Sequence, residues 1–154
     1  MYLILKLLHV AGVVLFLGNI TVGVFWKQFS DRTRDAAVMA FTMDGIVKAD
    51  RIFTIPGVIL LLGAGLAAAF VGGIPILSTG WLLWGIIAFI LSGIAFTPLA
   101  QAQSRLATAA HAGDLAEYDR LSKSWNFWGL LALAFPVMAF IIMILKPALP
   151  AFHR

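Results

Sequence analysis

From Ile52 to Ser104 the chain carries no charged side chain. A run of that length suits a bilayer, which accepts apolar chain as long as every backbone N–H and C=O is bonded within a helix. A hydrocarbon core of about 30 Å takes about 20 helical residues, so the run holds two spans if something divides it. The segment VGGIPILSTG, residues 71–80, divides it, because Gly-Gly, Pro75 and Ser-Thr-Gly form turns. One span is expected at about 52–71, started or kinked by Pro56, and the next at about 81–100, with a kink at Pro98. Trp81 and Trp84 then mark a water boundary, as an aromatic belt does.

Two further spans flank this run. Between Lys6 and Lys27 lie twenty uncharged residues, giving a first span at about 5–26. Its polar and small residues Tyr2, Lys6, His9, Gly12, Phe16, Asn19, Gly23 and Trp26 recur at steps of three or four, which puts them on one stripe that turns inward. A fourth span at about 125–145 ends at Lys146-Pro147 and carries its own stripe, Asn126, Gly129, Ala132, Pro136, Ala139 and Met143. The third has Gly85, Ala88, Ser92 and Ala95. Small residues at that spacing let backbones approach closely, where dispersion and hydrogen bonds take over from a hydrophobic drive that lipid does not supply. The fold class is therefore all-α, a single membrane domain over 1–154 that forms a four-transmembrane-helix bundle with helical cytoplasmic extensions.

The extensions come from the polar segments. QFSDRTRDAAVMAFTMDGIVKADR, after Lys27, predicts a helix lying at or just below the membrane surface, capped by Ser30 or Asp31, with Asp44 pairing to Lys48 one turn on. QAQSRLATAAH has no helix breaker before Gly113, so the third helix should project into water. Asp114 with Glu117 predicts the next helix start.

Composition narrows the function classes. The chain is 62% hydrophobic and 12% charged, which marks an integral membrane protein, and its Lys and Arg form no basic face interleaved with aromatics, so nucleic acid is excluded as a partner. Absence of cysteine removes disulfides, thiolate metal sites and thiol catalysis. No basic region precedes the first apolar run and no small-residue cleavage site precedes Trp26, so the first helix is expected to be retained. The loops joining spans one to two and three to four hold eight Lys and Arg, against Lys6, Lys146 and Arg154 on the other side. That asymmetry predicts both long connections in the cytoplasm and both termini outside.

Few residues are candidates for chemistry. His9 is the only histidine within a span; it is either a hydrogen-bonded interfacial imidazole or a functional group. In an antiparallel fourth helix Met143 stands three residues inside Lys146, as His9 stands three inside Lys6, so His9 and Met143 share a depth. A His–Met pair can hold haem iron as axial ligands, with Lys6 and Lys146 near the propionates. His9 from each subunit of a dimer is a second arrangement. Asp50 and Arg51 read as an interfacial ion pair or as part of a proton or anion site, and Gln101, Gln103 and Arg105 as a solvated helix face or a polar mouth. An interhelical hydrogen bond accounts for Asn19 and Asn126. His111 and His153 read as exposed. No Ser-His-Asp set, carboxylate pair or phosphate loop is present, which disfavours hydrolysis.

LKLLHVAGVVLFLGN, FWK followed by DRTRD, KADRIFTIPG, QAQSRL and the terminal KP together resemble an uncharacterised bacterial family of predicted integral membrane proteins. More distantly, Lys6 and His9 on the first helix are similar to the opening of copper-resistance D membrane proteins and of small four-helix protoporphyrinogen oxidases. The latter resemblance implies a first-helix histidine, here His9, working with haem or a porphyrin; those oxidases also use a lysine on the third helix, where this chain has none. The expectation is a redox-related protein of a bacterial inner membrane that binds b-type haem near the outer face, His9 being the metal ligand. The alternatives are an accessory or assembly subunit that recruits other helices, and a small-solute or proton transporter acting as an oligomer. The expected partners are the lipid bilayer and, through the small-residue faces, a second copy or other membrane subunits.

Overall fold

The computed structural model describes residues 1–152; His153 and Arg154 lie outside the described residues. Those residues form helices joined by short connections, with no strand among them, and four helices are long and apolar enough to cross a membrane. α1 is Tyr2–Asp31, α2 Ala36–Ala49, α3 Ile55–Val71, α4 Gly80–His111 and α5 Leu115–Leu145. Thirty residues make α1 about 45 Å long, so the bundle overshoots the hydrocarbon by about 15 Å. The overshoot is at one end, the α2 end; the α3–α4 loop and the chain's last residues mark the other, the tail end.

Each expected span falls within a helix that runs past at least one of its ends. Ser30 and Asp31 do not cap: α1 continues through both, and Asp35 caps α2, its carboxylate accepting from the backbone N–H groups of Ala37 and Val38. α2 also does not lie along the membrane surface. It turns back antiparallel to α1 and runs into α3 through a π-turn, Asp50–Thr54, making one helical rod from Ala36 to Val71. Pro56 explains the π-turn's place, because its missing N–H interrupts the regular ladder and the wider turn just before it absorbs the defect. Pro98 is accommodated inside α4 and Pro136 inside α5. The extension of α4 to His111, the start of α5 at Asp114, whose side chain accepts from the Glu117 N–H, and the stop at Lys146 in a left-handed conformation follow the sequence pattern.

α1 packs along α3 and α4 along α5; the two pairs meet where α1 crosses α5 and where α2 lies on α4. Within the membrane Phe16 and Phe89 join them edge to face, with Ile20, Leu61 and Leu133 around them. At the α2 end a larger core of Met39, Met43, Leu106, Tyr118 and Leu121 fills the space between α2, α4 and α5. The α4 stripe is wholly buried, and Ser92 donates to the Ala132 carbonyl of α5 at 2.8 Å. Asn126 is exposed and makes no bond to Asn19.

Candidate functional site

The α1 stripe delivers His9 and Gly12 to α3. A Cβ on Gly12 would stand 2.6 Å from the Leu61 backbone N, so only glycine lets the two backbones approach this closely. That approach places His9 Nδ1 2.8 Å from the Leu61 carbonyl oxygen, over Gly65. A carbonyl only accepts, so Nδ1 is the donor, and in the neutral ring Nε2 is the nitrogen that keeps a lone pair. The other residues expected with it face elsewhere. Met143 lies against Gly85 of α4, and the Lys146 ammonium stands 5.0 Å from the Trp81 ring centre. Lys6 is exposed. His9 thus faces α3 while the candidates on α5 face α4.

A second polar cluster gathers around the π-turn. Asp50 forms no ion pair with Arg51, which is exposed. Its Oδ1 accepts from Asn19 Nδ2 of α1 at 3.0 Å and from Thr54 Oγ1 at 2.8 Å, and its Oδ2 accepts from Gln103 Nε2 of α4 at 2.8 Å. Asn19 Nδ2 also reaches Thr54 Oγ1 at 2.9 Å. Gln103 is buried, contrary to a solvated helix face; Gln101 and Arg105 are exposed as that reading expects. Three neutral donors from three stretches of chain hold one carboxylate, and among the described residues no cation is its partner. The π-turn sets Asp50 and Thr54 four residues apart on one side of the rod, facing Asn19.

A third cluster lies about 12 Å further along α1, eight residues on. Lys27 is fully buried, its ammonium bonded to Asp31 and to Ser122 Oγ, 5.2 Å from the Tyr118 ring centre and 5.0 Å from that of Trp125. The Tyr118 hydroxyl donates to the other oxygen of Asp31 at 2.7 Å. The buried Trp125 Nε1 has no hydrogen-bond partner among the described residues. Beyond this cluster Arg34 clamps Asp119 with bonds of 2.7 and 3.0 Å, and this guanidinium holds the Asp119 carboxyl below its usual range. Asp44 pairs with His111 of α4 at 2.8 Å in place of Lys48.

Sequence reasoning singled out Asp50, Asn19 and Gln103 separately but did not join them, and it missed Thr54. The available signal was that Asn19 is the one amide in the first span and Asp50 the last acid before the uncharged run.

Residues 3–147 match the model of a family described as "Predicted integral membrane protein (DUF2269)". The chain belongs to the DUF2269 family. Membership fits the four spanning helices and the sequence blocks quoted above, and it extends over the His9, Asp50 and Lys27 clusters alike. No curated protein and no solved structure matches the chain.

Proposed function

We propose that this DUF2269 protein is a proton-coupled membrane transport component in which Asp50 takes up and releases the proton. The reading rests on one observation: a carboxylate at the edge of the membrane-spanning region whose partners are all neutral donors, Asn19, Thr54 and Gln103. Ionisable groups in membrane helices commonly mark proton or ion paths, and a π-turn within a helix is frequently a functional site. The chemistry couples charge to shape. As an anion Asp50 only accepts; once protonated it loses its charge and one oxygen becomes a donor, so its bonds from Asn19, Thr54 and Gln103 weaken and the tie between α1, the π-turn and α4 loosens. Four spans make no solute pathway alone, so the unit acts with further copies or other subunits. On the eight-to-three split of Lys and Arg, the α2 end faces the cytoplasm of a bacterial inner membrane and the termini face out.

The test is a pair of measurements on protein in nanodiscs, wild type against Asp50→Asn. A protonated-carboxyl infrared band that grows in acid and vanishes in the variant, with a spin-label distance between α1 and α4 that shifts with it, supports the reading. Identical spectra for both proteins remove it.

Haem on His9 is the second reading. It is favoured by the Nδ1–H bond to Leu61, which fixes the tautomer and leaves Nε2 free to ligate, the arrangement second-shell partners give metal-binding histidines. A bound b-type haem would supply one-electron chemistry, and His9 would hold its iron. A reduced-minus-oxidised spectrum present in the wild type and lost in His9→Ala supports it; a colourless protein from haem-sufficient cells refutes it.

A further inference from the structure

Asp50 is held differently from every other acid in the chain. Of the seven Asp and Glu, Asp31 is paired with Lys27, Asp119 with Arg34, Glu117 with Arg120 and Asp44 with His111, while Asp35 and Asp114 cap helices through backbone N–H groups. Asp50 alone is held only by neutral side chains. Those side chains can change sides. A carboxamide turned over about its last bond offers a carbonyl oxygen where its nitrogen stood, and a hydroxyl that donates to an anion has lone pairs left for a cation. The lysine and arginines that hold other acids only donate.

The spacing suits a small cation. Asn19 Nδ2, Asp50 Oδ1 and Thr54 Oγ1 form a triangle with sides of 3.0, 2.9 and 2.8 Å. With the Asn19 amide turned, three oxygens occupy its corners, and an ion seated over them touches all three at about 2.4 Å, the contact distance of a cation of calcium's size. Gln103, whose Nε2 stands 2.8 Å from the other carboxylate oxygen, brings a fourth oxygen from α4 by the same turn. Oxygen donors alone suit hard cations, and charge selects among these. Calcium sites draw on several carboxylates, and a divalent ion on one carboxylate keeps a net charge that is expensive at the membrane's edge; a monovalent ion leaves the cluster neutral. Thr54 and Gln103 are buried while Asn19 and Asp50 keep part of their surface, so the carboxylate is both sheltered and reachable.

We propose that Asn19, Asp50, Thr54 and Gln103 form a sodium site at the π-turn. This rests on the reading of Asp50 as a reversible charge and names the second ligand of that group: one sodium ion neutralises the carboxylate as one proton does, so the two exclude each other. Interrupted membrane helices are a recurrent place for coupling ions. The ion reverses the dipoles around it. With sodium bound, Asn19 and Gln103 present carbonyl oxygen in place of N–H, and α1, the π-turn and α4 stay joined through the ion. The larger potassium ion stands further off the triangle and reaches fewer oxygens, so the site discriminates by size.

The test is equilibrium binding of radioactive sodium to the full chain in phosphatidylcholine nanodiscs at alkaline pH, with the protonated-carboxyl infrared band recorded in acid on the same preparations. The expected result is one ion per chain, displaced by unlabelled sodium and not by an equal concentration of potassium. Binding should be lost in Asp50→Asn, weakened about ten-fold in Thr54→Val and restored in Thr54→Ser, which returns the oxygen. Sodium held equally by Asp50→Asn, undiminished affinity in Thr54→Val, or equal displacement by potassium would overturn the site. An acid band without bound sodium overturns it too and leaves the proton reading standing, whereas bound sodium without an acid band keeps the site and removes the proton reading.

Discussion

At the α2 end, Met39, Met43, Leu106, Tyr118 and Leu121 close around a buried ammonium, and hydrogen bonds join α1 to α5 and α2 to α4. At the tail end, α1 and α3 touch through the backbones of Gly12 and Leu61, and α4 meets α5 through Gly85, Ala88 and Ala139. The difference follows the solvent. Beyond the bilayer, burying large apolar side chains away from water drives association, so the chain spends methionine, leucine and aromatic residues there. Inside hydrocarbon that drive is absent, and close backbone approach with an occasional hydrogen bond replaces it.

The comparison is open to attack from its strongest point. Lys27→Met removes one partner of a buried pair and leaves Asp31 without its cation. The expected loss is about 3 kcal/mol, read as a lower melting temperature in mild detergent with the α2 end opening first in hydrogen exchange. A loss confined to the tail end would break the division between the two ends. Gly12→Ala probes the other side. Its new methyl meets Leu61 backbone and not a flexible side chain, so α1 must part from α3 at a cost of about 1–3 kcal/mol, with faster exchange of the tail-end amides while the Lys27 cluster keeps its protection. The smallest effect sharpens the picture by pH. Arg34 depresses the pKa of Asp119, so the stability this pair contributes is full above the ordinary carboxyl pKa and disappears as pH falls through the folded-state value. In a melting series across that acid range the wild type should lose slightly more stability than Arg34→Gln, in which the largest cause of the Asp119 depression is gone.

Much of the fold is written in local signals. The uncharged runs, the turn residues between Val71 and Gly80, the Asp114 start and the Lys146-Pro147 stop each act on neighbouring backbone, and the small-residue stripe on α4 is read from its period alone. The candidate site was less legible, because its contacts join residues far apart in the chain. Asp50 beside Arg51 suggests a pair on sequence, yet on a helix adjacent residues point apart, and the carboxylate turns to Asn19 and Gln103. Lys27 reads as a span-end cation; only the arrival of Tyr118, Ser122 and Trp125 from α5 makes it a buried one. The surface helix expected before the second span fails for a local reason as well: only Gly45 stands between Ala36 and Pro56, and a single glycine inside a helix weakens it without ending it, so α2 has no cause to stop at the membrane.

The Asp50 cluster also orders the protein's biogenesis. Asn19, Asp50 and Thr54 are made first, and Gln103 is synthesised some fifty residues later, so the emerging α1–α3 hairpin holds a carboxylate with one oxygen still lacking its donor. Docking of α4 completes it. A chain halted between α3 and α4 would therefore present an unfinished charge to the bilayer, a feature by which membrane quality control could tell a nascent fragment from a finished bundle.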